Sequence, residues 1–433
     1  MIVETKCNYE IEPLAAPFGF KGGYVNENWQ VAALAVNEAG LSGLGVGTQG
    51  VLWSDAAVFE RLGNEAGNLA MFKMTARALR LAENERFGSP SEMLEYLLPR
   101  VYEYGKELTG LADLRMTFAL NALVAVDNAA WQLCAAEKKI TDFDSLIPES
   151  ARFALGQKQD ALAVIPLVSY KVSAGDINGL INDGYFLFKI KIGSDPDGDR
   201  DQEKMLEWDK NRITQIHELL KDRATEYSES GRIPYYLDAN GRYENKERLM
   251  RLLDHCDKIG ALERIIILEE PFPEEYLEPV GDIPVRLAAD ESAHTDADAA
   301  SRIDLGYGAI ALKPIAKTLS MSFKILETAA KRNIPCFCAD LTVNPVVLDW
   351  NKNFAARLDK YPGMKIGMLE SNGHQNYAEW DKMSGYHPRP GAGWLGIKNG
   401  RFELDDSFYG SGGGVFDASA HYRSLASTAG PQK

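Results

Sequence analysis

The sequence predicts an α/β protein: a parallel barrel preceded by a smaller α+β domain. Two observations predict the barrel. From about residue 160, eight short apolar runs recur, and amphipathic helical stretches lie between several of them. Strand–helix alternation implies a parallel sheet, and eight such units suggest closure into a (β/α)₈-type barrel. The second observation is that charged residues stand at the ends of these runs, where a barrel of this kind carries its chemistry.

The elements follow in chain order. Residues 1 to about 55 are rich in β-formers, glycine and turns. "WQVAALAVNEAGLSGLGVG" predicts a hairpin with its turn near Asn37–Gly40 and a glycine-rich return strand. Ahead of it, "APFGFKGGY" (16–24) predicts a mobile loop carrying Phe18, Phe20 and Lys21. Between about 56 and 140 the pattern is helical. "SPSEMLEYLLPRVYEYGKEL" offers Ser89 as N-cap, Pro90 at the first helical position and Glu92 three residues after the cap. Pro99 is expected to bend or break that helix. "ALVAVDNAAWQLCAAEKK" (122–139) predicts a buried helix in which Asp127 needs a partner.

The eight barrel runs are "AVIPLVSY", "FLFKIKI", "IPYYLDAN", "RIIILEEP", "VRLAADES", "AIALKP", "IPCFCADL" and "MKIGMLES". The fifth and sixth lie close together, so a brief helix is expected between them. The tail from about 385 reads as irregular, packing back on the first domain, and "STAGPQK" reads as disordered. The expected domains are 1–155, 156–384 and 385–433.

Composition excludes several classes. The 433 residues carry 47 Lys+Arg and 62 Asp+Glu, a formal charge of −15. Such a balance argues against nucleic-acid or anionic-membrane binding. No apolar run is long enough for a membrane span, and "MIVETKCNYEIEP" has no leader pattern. The five cysteines (Cys7, Cys134, Cys256, Cys336, Cys338) form no CxxC pair, as expected of free thiols in a reducing cytoplasm. The six histidines show no zinc-hydrolase spacing, and His294 reads as a solvated loop residue.

In "FKIKIG", strand alternation puts Lys189 and Lys191 on one face, a costly pairing in a core. The strand ends explain it. Asp238, Glu269 and Asp290 end three successive runs, about one strand–helix unit apart. Converging carboxylates repel unless a cation sits among them, and an all-oxygen set favours Mg²⁺. Lys191 and Lys313 flank this point from opposite sides. A lysine near other cations has a lowered pKa and can act as a base, so Lys189 is expected to tune Lys191. The implied chemistry is removal of the α-proton of a carboxylate substrate to give an enediolate.

The motifs Lys189-Ile190-Lys191, Asp238-Ala239-Asn240, Glu269-Glu270-Pro271 and Asp290-Glu291-Ser292, with Lys313, resemble the enolase superfamily. The resemblance is to its muconate lactonizing enzyme and dipeptide epimerase branch, within the mandelate racemase/muconate lactonizing enzyme family. It implies a (β/α)₇β TIM-like barrel under an α+β capping domain, with cap loops near 16–24 and 45–53 closing over the site. It also implies Asp238, Glu269 and Asp290 as Mg²⁺ ligands and Lys191 and Lys313 as the acid/base pair, with Lys189 beside them. Asn240, Glu270 and Glu291 are expected as supporting groups behind the ligands. Phe18, Phe20, Lys21, Asp340 and Glu370 are candidate substrate contacts. The resemblance implies a homo-oligomer acting as a racemase, epimerase or cycloisomerase. A one-lysine dehydratase or synthase, of acid-sugar or o-succinylbenzoate type, and a catalytically silent ligand-binding barrel are the alternatives. "CFCADLTVNP" lacks the histidine of the His–Asp dyad used by the mandelate racemase branch, which argues against that mechanism. From its own branch the chain departs where the last strand ends Glu370-Ser371-Asn372 rather than D-x-D, where "KPIAKTLS" replaces K-x-x-x-G-G, where "GLGVG" replaces GWGE, and in its greater length.

Overall fold

The computed structural model describes residues 1–20 and 23–428, with the side chain of residue 20 left out. Lys21 therefore lies outside the described residues, as do 429–433 and the side chain of Phe20. The chain opens with three antiparallel strands: β1 (Ile2–Phe20), β2 (Gly23–Asn37) and β3 (Ser42–Gln49), in the order β1-β2-β3. The segment expected as a loop near 16–24 is instead strand up to Phe20 and again from Gly23. Pairing Phe18 with Val25 continues the ladder after a register shift beyond Pro13.

A short helix α1 (Val51–Ser54) leads to three long ones: α2 (Ala56–Ala82), α3 (Pro90–Thr109) and α4 (Met116–Lys138). The alternating glycines of β3 explain how α4 reaches the sheet. A Cβ on Gly43 would lie 2.0 Å from Ala129 O, and one on Gly45 would lie 1.8 Å from Ala125 O. Only bare backbone fits there. Ser89 Oγ accepts from Glu92 N (3.1 Å) and caps α3 as its sequence predicts. Pro99 does not end that helix, which runs on to Thr109. The buried stripe Leu94, Leu97, Val101 and Gly105 packs on α2 and α4, and tertiary packing outweighs the missing N–H. Asp127 in α4 finds its partner across the domain in Ser320, which donates from N (3.0 Å) and Oγ (2.6 Å).

The barrel strands are β4 (Ala161–Ile165), β5 (Leu167–Val168), β6 (Phe188–Lys191), β7 (Tyr235–Asp238), β8 (Ile265–Glu269), β9 (Leu287–Ala289), β10 (Ala309–Leu312), β11 (Cys336–Cys338) and β12 (Gly367–Glu370). Each coincides with one of the eight runs, β4 starting two residues ahead of the first; β4 and β5 share that run, split at Pro166, which cannot donate to the ladder. Closure happens there. β4 pairs in parallel with β12, and β5 with β6, so the ring of eight is complete. Helices separate most neighbours, including the brief Asp296–Asp304 between β9 and β10. Among the described residues no helix joins β8 to β9; proline-rich turns replace it.

The tail is more ordered than expected. A hairpin, β13 (Ile397–Lys398) and β14 (Arg401–Glu403), adds antiparallel to β4. The helix Ala420–Ser427 lies on β1 and β2, where His421 Nε2 reaches Glu10 Oε2 (2.8 Å). No helix among the described residues is long and apolar enough to cross a membrane.

Candidate active site

Apart from Lys189, which lies within β6, the charged residues of the site stand at or just past the C-terminal ends of their barrel strands. Lys191, Asp238, Glu269 and Glu370 end β6, β7, β8 and β12; Asp290, Lys313 and Asp340 follow β9, β10 and β11. In a parallel barrel these ends form one rim. Period-two alternation turns Lys189 and Lys191 inward together, and both are almost fully buried.

The two lysines are held by acids. Asp238 Oδ2 lies 2.9 Å from Lys189 Nζ and 2.6 Å from Lys191 Nζ. Lys189 Nζ also donates to Glu269 Oε1 (3.0 Å) and Glu370 Oε2 (3.0 Å). Lys191 Nζ donates to Asn240 Oδ1 (2.5 Å), whose Nδ2 donates to Glu291 Oε1 (2.9 Å). Across the barrel Lys313 Nζ donates to Asp290 Oδ2, and the ring of Trp53 lies 4.4 Å from the same nitrogen. Tyr236 OH donates to Glu269 Oε2.

Electrostatics follow from burial and these partners. Burial opposes the charged form of Lys189, but Asp238, Glu269 and Glu370 outweigh it and hold its pKa well above the usual lysine value. The same competition, won by Asp290 and Glu269, raises Lys313. Lys189 and Lys313 thus meet carboxylates before they meet other cations. Burial would raise Asp238, but Lys189 and Lys191 bring it down to about 2. Burial pushes Glu269 up to about 7, with Asp290 and Glu370 adding to it, and Glu270 up to about 8, with Glu291 adding to it.

Three carboxylates offer oxygens within 4.8 Å of one another: Glu269, Asp290 and Glu291, all buried. Such an all-oxygen donor set fits a hard divalent cation such as Mg²⁺. The trio is not the one read from the sequence. Asp238 Oδ2 is paired with the two lysines, and Glu291, expected behind the ligands, lies in the acid cluster. Glu270, expected behind the ligands or at the surface, is buried, and its Oε2 accepts from Asp290 N (2.7 Å) and Ser292 N (3.3 Å). His294 is half-buried rather than free in solvent; its Nε2 lies 2.7 Å from Glu274 Oε2.

A cavity opens above this floor. Its walls include Phe18 and Val25 from the first hairpin, Leu52 and Trp53 from α1, and Asp340, Leu341 and Thr342 after β11. Asp340 lines it but is held by backbone: its carboxylate accepts from Leu341 N (2.8 Å) and Asn372 N (2.8 Å), and burial raises its pKa to about 6. Asn28, Thr342 and Asn372 line the cavity without having been found from sequence, and Trp53 comes from the 45–53 segment expected to close over the site. Tyr236 was also missed, although it stands two residues before Asp238 and so faces the same way. All five cysteines are free.

No protein-family model matches the chain, and no curated protein matches it in sequence. Solved structures match it in fold. A mandelate racemase/muconate lactonizing protein from Herpetosiphon aurantiacus matches with a TM-score of 0.65 at 17% identity, over 94% of this chain and 96% of that one. An N-succinyl Arg/Lys racemase from Bacillus cereus ATCC 14579 matches at 0.64 and 15%, over 93% of each chain. A dipeptide epimerase from Enterococcus faecalis V583, complexed with Mg and L-Leu-L-Tyr, matches at 0.62 and 16%, over 93% and 97%. At these identities the likeness is one of fold, and it spans the cap and the barrel together.

Proposed function

We propose that this chain is an enolase-superfamily enzyme of the muconate lactonizing and dipeptide epimerase branch. It removes the α-proton of a small carboxylate substrate and acts as a racemase, epimerase or cycloisomerase, with Mg²⁺ as its cofactor. The observation that carries the reading is the placement of Lys191 and Lys313. Lys191 ends β6 and Lys313 follows β10, with three strands between them whichever way round the barrel is counted and the acid cluster on one of those sides. Two amines on opposite faces of one cavity can serve one carbon from both sides. The H. aurantiacus, B. cereus and E. faecalis structures share the fold, and the last two are a racemase and an Mg-complexed epimerase.

Glu269, Asp290 and Glu291 would hold the cation, with Asp238 adjoining from β7. When bound, Mg²⁺ supplies positive charge that stabilises the negative charge developing on the substrate carboxylate. Of Lys191 and Lys313, the one present as a neutral amine takes the α-proton at Nζ, and the other, as an ammonium, returns one from the opposite face. Lys189, fixed by three carboxylates, keeps its charge and faces the same anion. Phe18, Leu52, Trp53 and Leu341 roof the cavity and exclude water while the carbanion exists.

The test is hydrogen exchange in D₂O with Mg²⁺, read by NMR over a panel of dipeptides, N-acyl amino acids, acid sugars and succinylbenzoate-type acids. Exchange at the α-carbon that EDTA abolishes supports the reading. Absence of both exchange and Mg²⁺ binding sinks it and favours a silent barrel.

A further inference from the structure

One fully buried cation near the acids has no part in the proton transfer. Lys317 follows Lys313 by one turn, where the chain departs from the K-x-x-x-G-G pattern of the branch, and its side chain is fully buried. Its Nζ donates to Asp290 O (2.5 Å) and Ala293 O (3.0 Å), and lies 3.3 Å from Asp290 Oδ1. All three contacts fall on the turn after β9, the segment that presents Asp290 and Glu291. Lys317 N donates to Lys313 O (2.7 Å), so the backbone that holds one amine also holds the other. Lys313 and Lys317 thus approach Asp290 through different carboxylate oxygens.

A buried ammonium is costly unless paired, and buried carboxylates are costly unless balanced. Glu269, Glu270, Asp290 and Glu291 are each 3% exposed or less. Lys317 meets both needs by placing its amine against Asp290 and the carbonyls of the turn after β9, and it does not line the cavity. A fixed charge there stabilises the acids before a divalent cation arrives and repels that cation once it does. We propose that Lys317 is a positioning residue that acts as a built-in counter-charge, holding the acid turn together without metal and keeping cation binding reversible. This rests on the reading of Glu269, Asp290 and Glu291 as the cation site.

The test compares Lys317→Gln with Lys317→Arg. Glutamine keeps a donor for Asp290 O and Ala293 O but loses the charge; arginine keeps the charge. The probe is Mg²⁺ alone, followed by titration calorimetry and by thermal unfolding with and without the ion. In the glutamine variant, Mg²⁺ affinity is expected to rise about tenfold and the Mg²⁺-induced gain in Tm to exceed that of the wild type. The arginine variant keeps wild-type values. A glutamine variant that folds only when Mg²⁺ is present supports the proposal equally. One that binds Mg²⁺ no more tightly than the wild type, or fails to fold with and without the ion, overturns it and leaves Lys317 a structural tether. A wild type that binds no Mg²⁺ overturns this inference and the cation site together, so the two failures are distinct.

Discussion

Lys191 Nζ lies 2.6 Å from Asp238 Oδ2, and Lys189 Nζ reaches the same oxygen at 2.9 Å. One carboxylate therefore makes the lysine doublet tolerable in a core. Asp238→Asn removes the shared charge while leaving the shape. With two buried ammonium groups then short of an acid, a loss of about 3–5 kcal/mol is expected in metal-free protein. Urea unfolding in EDTA measures it. A loss below about 1 kcal/mol would mean that Asn240, Glu269 and Glu370 suffice to hold both lysines.

The opposed amines predict unequal losses. Lys191→Ala and Lys313→Ala are each expected to lower turnover by about 10²–10⁴-fold, the usual weight of a general acid or base. Each variant should retain α-exchange for the substrate enantiomer whose proton faces the surviving lysine. Separate exchange assays on the two enantiomers check this. Equal loss of both in either variant would point to a single base, with the second lysine only a counter-charge.

Packing of the cap on its own sheet is equally testable. A methyl on Gly45 would sit 1.8 Å from Ala125 O, where backbone faces backbone and no side chain can swing away. Gly45→Ala is expected to cost about 1–3 kcal/mol or more as α4 is pushed off β3. The control is Gly40→Ala, where the turn is open but φ is +76°. Its cost should come from backbone strain alone, and chemical denaturation of both variants separates the two effects.

What the sequence discloses of this site divides by range. Lys189, Lys191 and the strand-end acids are legible because strand alternation and strand–helix spacing are local patterns. The exchange of Asp238 for Glu291 in the closest acid trio is not, because it depends on how the turn after β9 folds back, with Ala293 N donating to Asp290 O. Trp53 over Lys313 is a contact between cap and barrel, and no local pattern announces it. Pro99 does not break α3 for a related reason: the helix is held by neighbours far along the chain, which a proline rule cannot see. The glycines of β3 were visible, but their role needed α4 beside them.

The loop after Lys191 carries a pH dependence of its own. Asp209 is fully buried beneath it and accepts Gly193 N through both oxygens (2.9 and 2.8 Å) and Tyr243 OH at 2.6 Å. Burial pushes its pKa up to about 7, against the lowering pull of Tyr243 and the Gly193 and Ser194 amides. A carboxyl whose pKa is raised on folding contributes stability that is fully present below the unfolded value near 3.8 and lost as pH rises through about 7. The full effect is about 4 kcal/mol. Asp209→Asn keeps an acceptor for Gly193 N and cannot ionise. The stability of the variant relative to the wild type should therefore rise between pH 4 and pH 8 and level off above it. Urea unfolding at intervals across that range gives the difference directly. Curves that stay parallel would mean that the three donors keep Asp209 ionised throughout, and that the loop behind Lys191 is held by charge rather than by a neutral carboxyl.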